Sequence, residues 1–440
     1  MNLILLSGGS GVRLWPLSND IRSKQFIKMF RNGDKLESMI QSMYRQISEI
    51  NPDAKVTVAT SQTQAAAIRN QIGGEVGISI EPCRRDTFPA IALATMYLHD
   101  VKGVSEDDAV VVCPVDPYVE KEYFSALERL YKMASAKDAS NLTLMGIEPT
   151  YPSDKYGYII PVNGDEVSLV SMFKEKPDVK TAKTYIEQGA LWNSGVFAYK
   201  LGYVIDRAKE LLGVKDYADL FDCYEDAKKI SFDYAVAENE SDITVLRFSG
   251  RWDDVGSWDA LTSVMEDEIV GEGSMPEGCE NTRIINELDI PVMALGMKNT
   301  IISASAQGIL VSDVSLSSHI KPYVESLDQR VMFAEKSWGS FQILDVSENS
   351  LTIKVTLKAG GHMNYHSHEH RDEVWVVCSG EGRVIVDGME QRISSGDVIT
   401  MKAGCRHTVF SDTDLILMEV QIGDDIRIDD KTVYDGSAYE

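Results

Sequence analysis

The chain has 440 residues, more than one ordinary domain holds, so two or three folding units are expected. Its 43 basic and 68 acidic side chains leave a formal charge of −25, which disfavours nucleic acid and anionic membrane surfaces as partners. Apolar residues at 44% and charged residues at 25% are the balance of a globular protein, and no apolar run approaches the 18 residues of a membrane span. The N-terminal apolar run is too short and uncharged for a signal peptide, and the six cysteines form no CxxC pair, so reduced thiols and a cytoplasmic location are expected.

Leu3-Ile4-Leu5-Leu6 is apolar on both faces and suits a central parallel strand. It runs into Ser7-Gly8-Gly9-Ser10-Gly11-Val12-Arg13, whose glycines leave backbone N–H groups open to a polyphosphate. Arg13 adds a fixed charge for phosphate oxygens, and Lys24, in Lys24-Gln25-Phe26, adds a second cation on the same flank. Taken alone, such a turn serves equally well as a plain tight turn. It lacks the Gly-Lys-Ser/Thr ending of a Walker loop and the GxGxxG spacing of a dinucleotide fold.

Through residue 269, short apolar runs (Val56 to Ala59, Ala109 to Cys113) alternate with helical patterns (Phe88 to His99, Tyr123 to Ala134). This is an α/β pattern with a mostly parallel sheet, which places ligands at the strand C-termini. Asp116, after one such strand, is a natural Mg²⁺ ligand or a loop cap. Residues 270–330 carry β-branched runs (Asn299 to Ile302, Gly308 to Val311) between Gly, Asn and Ser, a small β-rich connector with a structural or oligomerisation role. Residues 331–440 repeat strand and turn (Leu351 to Val355, Val374 to Val377, Val384 to Val386, Val398 to Met401), an antiparallel sandwich or barrel.

Seven histidines occur, and five of them (362, 366, 368, 370 and 407) lie in this last segment. On a strand, His366 and His368 face the same side and can reach one ion, with His407 arriving from a later strand and Glu373 supplying charge. Imidazole with carboxylate suits Zn²⁺, Mn²⁺, Fe²⁺ or Ni²⁺, while a surface cluster is the alternative.

The spelling SGGSGVRLWPLS followed by KQF resembles the sugar-1-phosphate nucleotidylyltransferases, and most closely the bacterial mannose-1-phosphate guanylyltransferases. Glu81-Pro82-Cys83-Arg84-Arg85-Asp86-Thr87 resembles the family's EPxxRNTAPA segment beside the nucleotide. Arg84 and Asp86 stand where the family usually has Gly and Asn, which bears on the base taken. The resemblance implies a Rossmann-like nucleotidyltransferase domain with Leu6, Gly8, Gly9, Gly11, Arg13, Glu81 and Arg85 around the nucleotide. It implies Mg²⁺ on Asp116 and on Asp254 of Arg251-Trp252-Asp253-Asp254-Val255-Gly256. Asp253 replaces a common Ser and is not a ligand. Lys176, after Glu175 in the EKP signature, would hold the sugar phosphate. Glu175, Asn193 of Trp192-Asn193-Ser194-Gly195 and Gly157 of Lys155-Tyr156-Gly157-Tyr158 would complete the sugar pocket.

The reaction implied is in-line attack of mannose-1-phosphate on the α-phosphorus of GTP, with Arg13, Lys24 and Mg²⁺ neutralising charge and no general base needed. A homodimer is expected.

Gly360, His366, His368, Glu373 and Gly380, then Gly396, Gly404 and His407, follow the two half-motifs of a cupin, with Lys402 in place of the usual Pro. The run from His368 to Trp375 resembles the HxHRxExW segment of type II phosphomannose isomerase domains, whose relatives often carry Gln where His366 stands. That resemblance implies a C-terminal all-β cupin barrel in which Arg371 orients a hexose phosphate on the metal. Two other readings remain: the same chemistry on another nucleotide or hexose with a non-catalytic cupin, and a sugar-nucleotide sensor. Two metal carboxylates, Asp116 and Asp254, speak against a pure binder.

Overall fold

The apolar run at the N-terminus forms strand β1 (Asn2–Ser7), with every residue but Leu6 buried. The computed structural model describes residues 1–439 except 10, 11, 20, 74, 75, 328, 329, 428 and 429, so Gly11 lies outside the described residues. The chain divides into two compact units, Met1–Ser10 with Lys24–Glu266, and Gly11–Ser23 with Asp267–Glu440.

In the first unit β1 is central. It pairs in parallel with β2 (Lys55–Ser61) on one side, and β2 pairs in parallel with β3 (Gly77–Glu81). On the other side it pairs in parallel with β4 (Ala109–Pro114). Beyond β4 the sheet becomes mixed. The remaining strands are β5 (Leu142–Ile147), β6 (Tyr158–Pro161), β7 (Val167–Lys174), β8 (Leu191–Lys200) and β9 (Ile243–Phe248). The order is β3-β2-β1-β4-β8-β5-β9-β7-β6, with β8 antiparallel to both β4 and β5. The parallel pairing expected from alternation holds for β1 with β2 and β4, for β2 with β3 and for β5 with β9. It gives way at β8, at β7 against β9, and at the β6–β7 hairpin, whose short turn can join only antiparallel strands.

Strand alternation splits the core between the two faces. Leu3 and Leu5 join the cluster under helix α1 (Met39–Ile50) and helix α3 (Lys121–Ala134), while Ile4 joins the cluster under helix α2 (Thr87–Met96). Helix α1 begins with a capping box, in which Ser38 Oγ accepts from the Gln41 amide and the Gln41 side chain accepts from the Ser38 amide. Helix α2 is buried from Phe88 to its end, which is why its sequence shows no amphipathic stripe.

In the second unit, Ile269–Val270, Arg283–Asn286 and Thr300–Ser305 pair in parallel, and Gly308–Asp313 returns antiparallel. Two short helical turns, Val314–His319 and Lys321–Glu325, follow. Gly273–Ser274 and Val292–Met293 also pair in parallel, and from Phe333 onward the strands are antiparallel. One sheet runs Phe333–Lys336, Gly339–Val346, β10 (Ser350–Leu357), β16 (Leu415–Ile422), β12 (Asp372–Ser379), β14 (Val398–Met401). The facing sheet runs Met389–Ser394, β13 (Glu381–Val386), β15 (His407–Ser411), β11 (His366–Ser367), β17 (Thr432–Val433). Trp375, Val377, Leu417, Val384 and Val409 fill the space between them. All six cysteines are free thiols.

The segment after β1 is held in this second unit. Both Arg22 terminal nitrogens donate to the Glu287 carboxylate, at 2.7 and 2.8 Å, a two-point pairing that fixes direction as well as distance. Ser305 Oγ donates to the Pro16 carbonyl at 2.7 Å, and Asn19 Nδ2 to the Phe333 carbonyl at 3.2 Å. Trp15 packs so closely on Gly308 that a Cβ there would stand 2.5 Å from the indole. Gly308→Ala should therefore destabilise the second unit by about 1–3 kcal/mol, the usual cost of overpacking. Urea denaturation followed by tryptophan fluorescence checks this, and an unchanged midpoint would show that Trp15 can yield.

Candidate functional sites

The C-terminal ends of β1 and β4 open onto a cavity of about 480 Å³ in the first unit. Leu6, Gly8, Gly9, Glu81 and Asp116 line it, together with Gln25, Arg84, Asp86 and Lys229. Register explains the convergence: Leu6 sits opposite Pro114, and the Val115 amide donates to the Leu6 carbonyl at 3.2 Å. Asp116 thus emerges beside the glycine turn. Below it, buried Gln25 donates to Ser7 Oγ at 3.2 Å and Gln64 Oε1 at 3.3 Å, while Thr60 Oγ1 donates to the Ser7 carbonyl at 2.9 Å. This polar floor is fully paired, so it holds the turn in one position.

The second carboxylate arrives on a short ribbon. Trp252–Asp254 pairs antiparallel with Pro117–Val119, placing Asp254 opposite Pro117, one residue beyond Asp116. Lys24, nearly buried, reaches both, with Nζ 2.9 Å from Asp116 Oδ2 and 3.8 Å from Asp254 Oδ1. Both carboxylates remain about two-fifths exposed, so they can accept a hard cation through oxygen alone.

One expected residue does not line the cavity. Arg85 turns away and donates to the Glu225 carbonyl, leaving Arg84 to line the cavity. Arg13 lies in the short helical turn Val12–Leu14, part of the segment that clusters with the second unit. At the cavity floor Tyr224 donates to Glu81 Oε2 at 2.9 Å, while a Cβ on Gly8 would lie 3.6 Å from Oε1. Burial raises the Glu81 carboxyl, and the Tyr224 hydroxyl partly offsets it.

The expected sugar residues also meet in the first unit. Glu175 is buried and pairs with Lys176 Nζ at 2.7 Å. Lys176 takes the left-handed backbone (φ 42°), unusual for a residue with a side chain and a mark of a constrained site. Asn193 Nδ2 donates to Asp233 Oδ1 at 2.7 Å, and Asn193 Oδ1 accepts from the Gly195 amide. Asp233 is a member that no motif flagged. It arrives from the short helix Phe232–Ala235, and only the fold places it there. Gly157 is required by contact, since a Cβ would sit 2.4 Å from Glu175 Oε2 and 3.2 Å from Asn193 Cβ.

In the second unit His366, His368 and His407 converge, with ligand nitrogens all within 4.8 Å of one another. Each is oriented by a backbone carbonyl on Nδ1: Asn364 at 2.6 Å for His366, Cys405 at 3.1 Å for His407, and Asp430 for His368. A ring that donates from Nδ1 presents a lone pair at Nε2, the form a metal ligand needs. Burial pushes His366 down to about 2 and keeps it neutral.

His368 Nε2 lies 3.1 Å from Glu373 Oε1, and His407 Nε2 3.2 Å from Oε2, so acceptors face acceptors. His407 Nε2 and Glu373 Oε2 are buried without a hydrogen bond, and a cation or a shared proton would satisfy that pair. The donor set, three nitrogens and a carboxylate, fits a divalent transition metal. Arg371 donates to Glu373 Oε1 and to His368 Nε2, each at 3.1 Å. Sequence reasoning missed Glu419 and Gln421, which face the same interior. Gln421 Nε2 donates to Glu419 Oε1 at 2.5 Å, and burial with the nearby Glu373 charge pushes Glu419 up to about 8. Only the register of β16, which sets Glu419 opposite Trp375 and Gln421 opposite Glu373, turns them inward. His370 is exposed, and His362 stacks on Phe410.

Residues 2–269 match the Nucleotidyl transferase family, and the chain belongs to it. Residues 326–435 match the Mannose-6-phosphate isomerase C-terminal family. Full-length relatives include the Xanthan biosynthesis protein XanB of Xanthomonas campestris pv. campestris (strain B100), 29% identical over 97% of this chain and 96% of its own length. Mannose-1-phosphate guanylyltransferase 2 of Escherichia coli O157:H7 is 28% identical over the same shares. A solved structure described as mannose-1-phosphate geranyltransferase from Thermus thermophilus superposes with TM-score 0.61 and 26% identity, covering 74% of this chain and 98% of that one. Among the described residues no helix is long and apolar enough to cross a membrane.

Two outcomes are expected for the sugar cluster. Gly157→Ala should displace Glu175 and lower kcat/KM for the sugar phosphate about 100-fold, the scale of a 1 Å misplacement, with nucleotide affinity unchanged. Titration calorimetry beside steady-state kinetics separates the two. Burial, then the Glu175 charge, pushes Asp233 up to about 7. Below that pH one carboxylate charge stands beside Lys176, and above it two, so KM for an anionic sugar phosphate should rise from about pH 6 to about pH 8. Asp233→Asn should flatten this profile, and parallel profiles would remove Asp233 from the site.

Proposed function

We propose that this chain joins GTP and mannose-1-phosphate to give GDP-mannose and pyrophosphate. The carrying observation is Lys24 held between Asp116 and Asp254 at the rim of a glycine-lined cavity. That arrangement suits two polyanions brought together, because an attacking phosphate is already ionised and asks for charge neutralisation, not a base. Asp116 and Asp254 would hold Mg²⁺, which supplies charge neutralisation at the α-phosphate when bound. Gly8 and Gly9 offer backbone amides to the triphosphate, and Arg84 and Lys229 add cations at the cavity wall. Glu81, with one oxygen occupied by Tyr224, leaves the other to accept from the N1–H and amino group of guanine. Glu175, Lys176 and Asn193 hold the hexose and its phosphate.

In the second unit, His366, His368, His407 and Glu373 would hold a divalent transition metal, which polarises the oxygens of a bound hexose phosphate. Arg371 orients that substrate, and mannose-6-phosphate isomerisation is the activity this supports. The division at residues 269 and 330, a homodimer and a cytoplasmic location belong to the same reading.

The test is pyrophosphate release with Mg²⁺, crossing GTP, CTP, UTP, ATP and dTTP with mannose-, glucose- and fucose-1-phosphate. Turnover confined to GTP with mannose-1-phosphate, lost at least about 100-fold in Asp254→Asn while GTP still binds, is the expected result. Preference for another pair would overturn the substrates. Full activity of Asp254→Asn would overturn the metal assignment.

A further inference from the structure

The three imidazoles of the second unit are not oriented in the same way. Asn364 and Cys405 each lie two residues before the histidine they orient, so those carbonyls come with the strand itself. The carbonyl for His368 comes from Asp430, 62 residues ahead in the chain. Residue 430 also spans the turn that joins β11 to β12. Its carboxylate accepts from the Glu369 amide at 2.9 Å, the His370 amide at 3.2 Å and His370 Nδ1 at 3.3 Å. Arg371 Nη1 donates to the Asp430 carbonyl at 3.4 Å and to that of Arg427 at 2.9 Å, and stands 3.7 Å from Asp430 Oδ2. Four consecutive residues, His368 to Arg371, are thus tied to one residue of the C-terminal segment.

The segment is anchored on its far side as well. β17 pairs antiparallel with β11, with His366 opposite Val433. The Tyr434 amide donates to the Tyr365 carbonyl at 2.8 Å, and the Tyr434 hydroxyl lies 3.0 Å from Ser367 Oγ. The Asp430 side chain itself is only 5% exposed.

We propose that Asp430 is a positioning residue for the His366, His368, His407 and Glu373 metal centre, so that the C-terminal segment sets both the tautomer of His368 and the aim of Arg371. The proposal rests on the reading of that cluster as a metal site. Removing the carboxylate frees the Glu369 and His370 amides, loosens the turn and lets the residue 430 carbonyl drift from His368 Nδ1. Partners of this kind, one bond behind a ligand, typically govern metal affinity by 10–100-fold.

The test uses the full chain and Co²⁺ alone as probe, read by competition with a chromophoric chelator and by the visible spectrum of the bound ion. Asp430→Ala should weaken Co²⁺ binding about 10–100-fold and alter the spectrum, while the metal-free protein keeps its near-ultraviolet circular dichroism and unfolding midpoint. Asp430→Asn, which keeps a carbonyl acceptor for one amide, should lose less. It also carries the test, at the lower end of that range, should Asp430→Ala fail to fold. Native affinity and spectrum in both variants would overturn the proposal. A separate control tests the reading beneath it: if His407→Ala binds Co²⁺ as well as the native chain, the cluster is not a metal site and both fall.

Discussion

The parallel hydrogen-bonded register of β1 with its two neighbours is the constraint on which the first site depends. Leu6 is held opposite Ala59 on one side and Pro114 on the other, so the glycine turn and Asp116 leave the sheet at one edge. A slip of one residue would exchange the faces of Leu3, Ile4 and Leu5, whose side chains fill two different cores. The cost of that exchange is what holds the register, and the register is what places the carboxylate. Asp254 inherits its position at second hand, through the ribbon with Pro117–Val119.

Much of this was legible in the chain. Apolar runs marked the central strands because strands covered on both faces need no alternation. The histidine spacing pointed to one cluster, but only His366 lies on the strand His366–Ser367, and His368 reaches the cluster from just beyond its end. The limits were equally physical. Asp233 sits in a four-residue helix with no motif around it, and only tertiary packing brings it to Asn193. Glu419 and Gln421 read as an ordinary alternating strand, since a polar inward face looks the same in sequence as a polar outward one. The segment that carries Arg13 is held by Glu287, Ser305 and Gly308, residues no local pattern connects to it.

The two sites manage their charge differently. In the first unit Lys24 stands between carboxylates that remain open to solvent, so repulsion is neutralised by an internal ion and by water. In the second unit the histidines and Glu373 are nearly sealed, and backbone carbonyls set the proton on each ring.

The placement of Gly11–Ser23 has a consequence for biogenesis. This segment is made early, directly after β1, yet Glu287, Ser305, Gly308 and Phe333, which hold it, are made only after the entire first unit. During synthesis the first unit can close its sheet around β1 and leave the segment as an unfilled loop. Its docking is then among the last long-range contacts to form, and closing so large a loop is slow. A ribosome stalled within the second half of the message would therefore display a finished sheet beside an undocked segment, an exposed apolar Trp15 included, which is a substrate for chaperones and proteases until translation resumes.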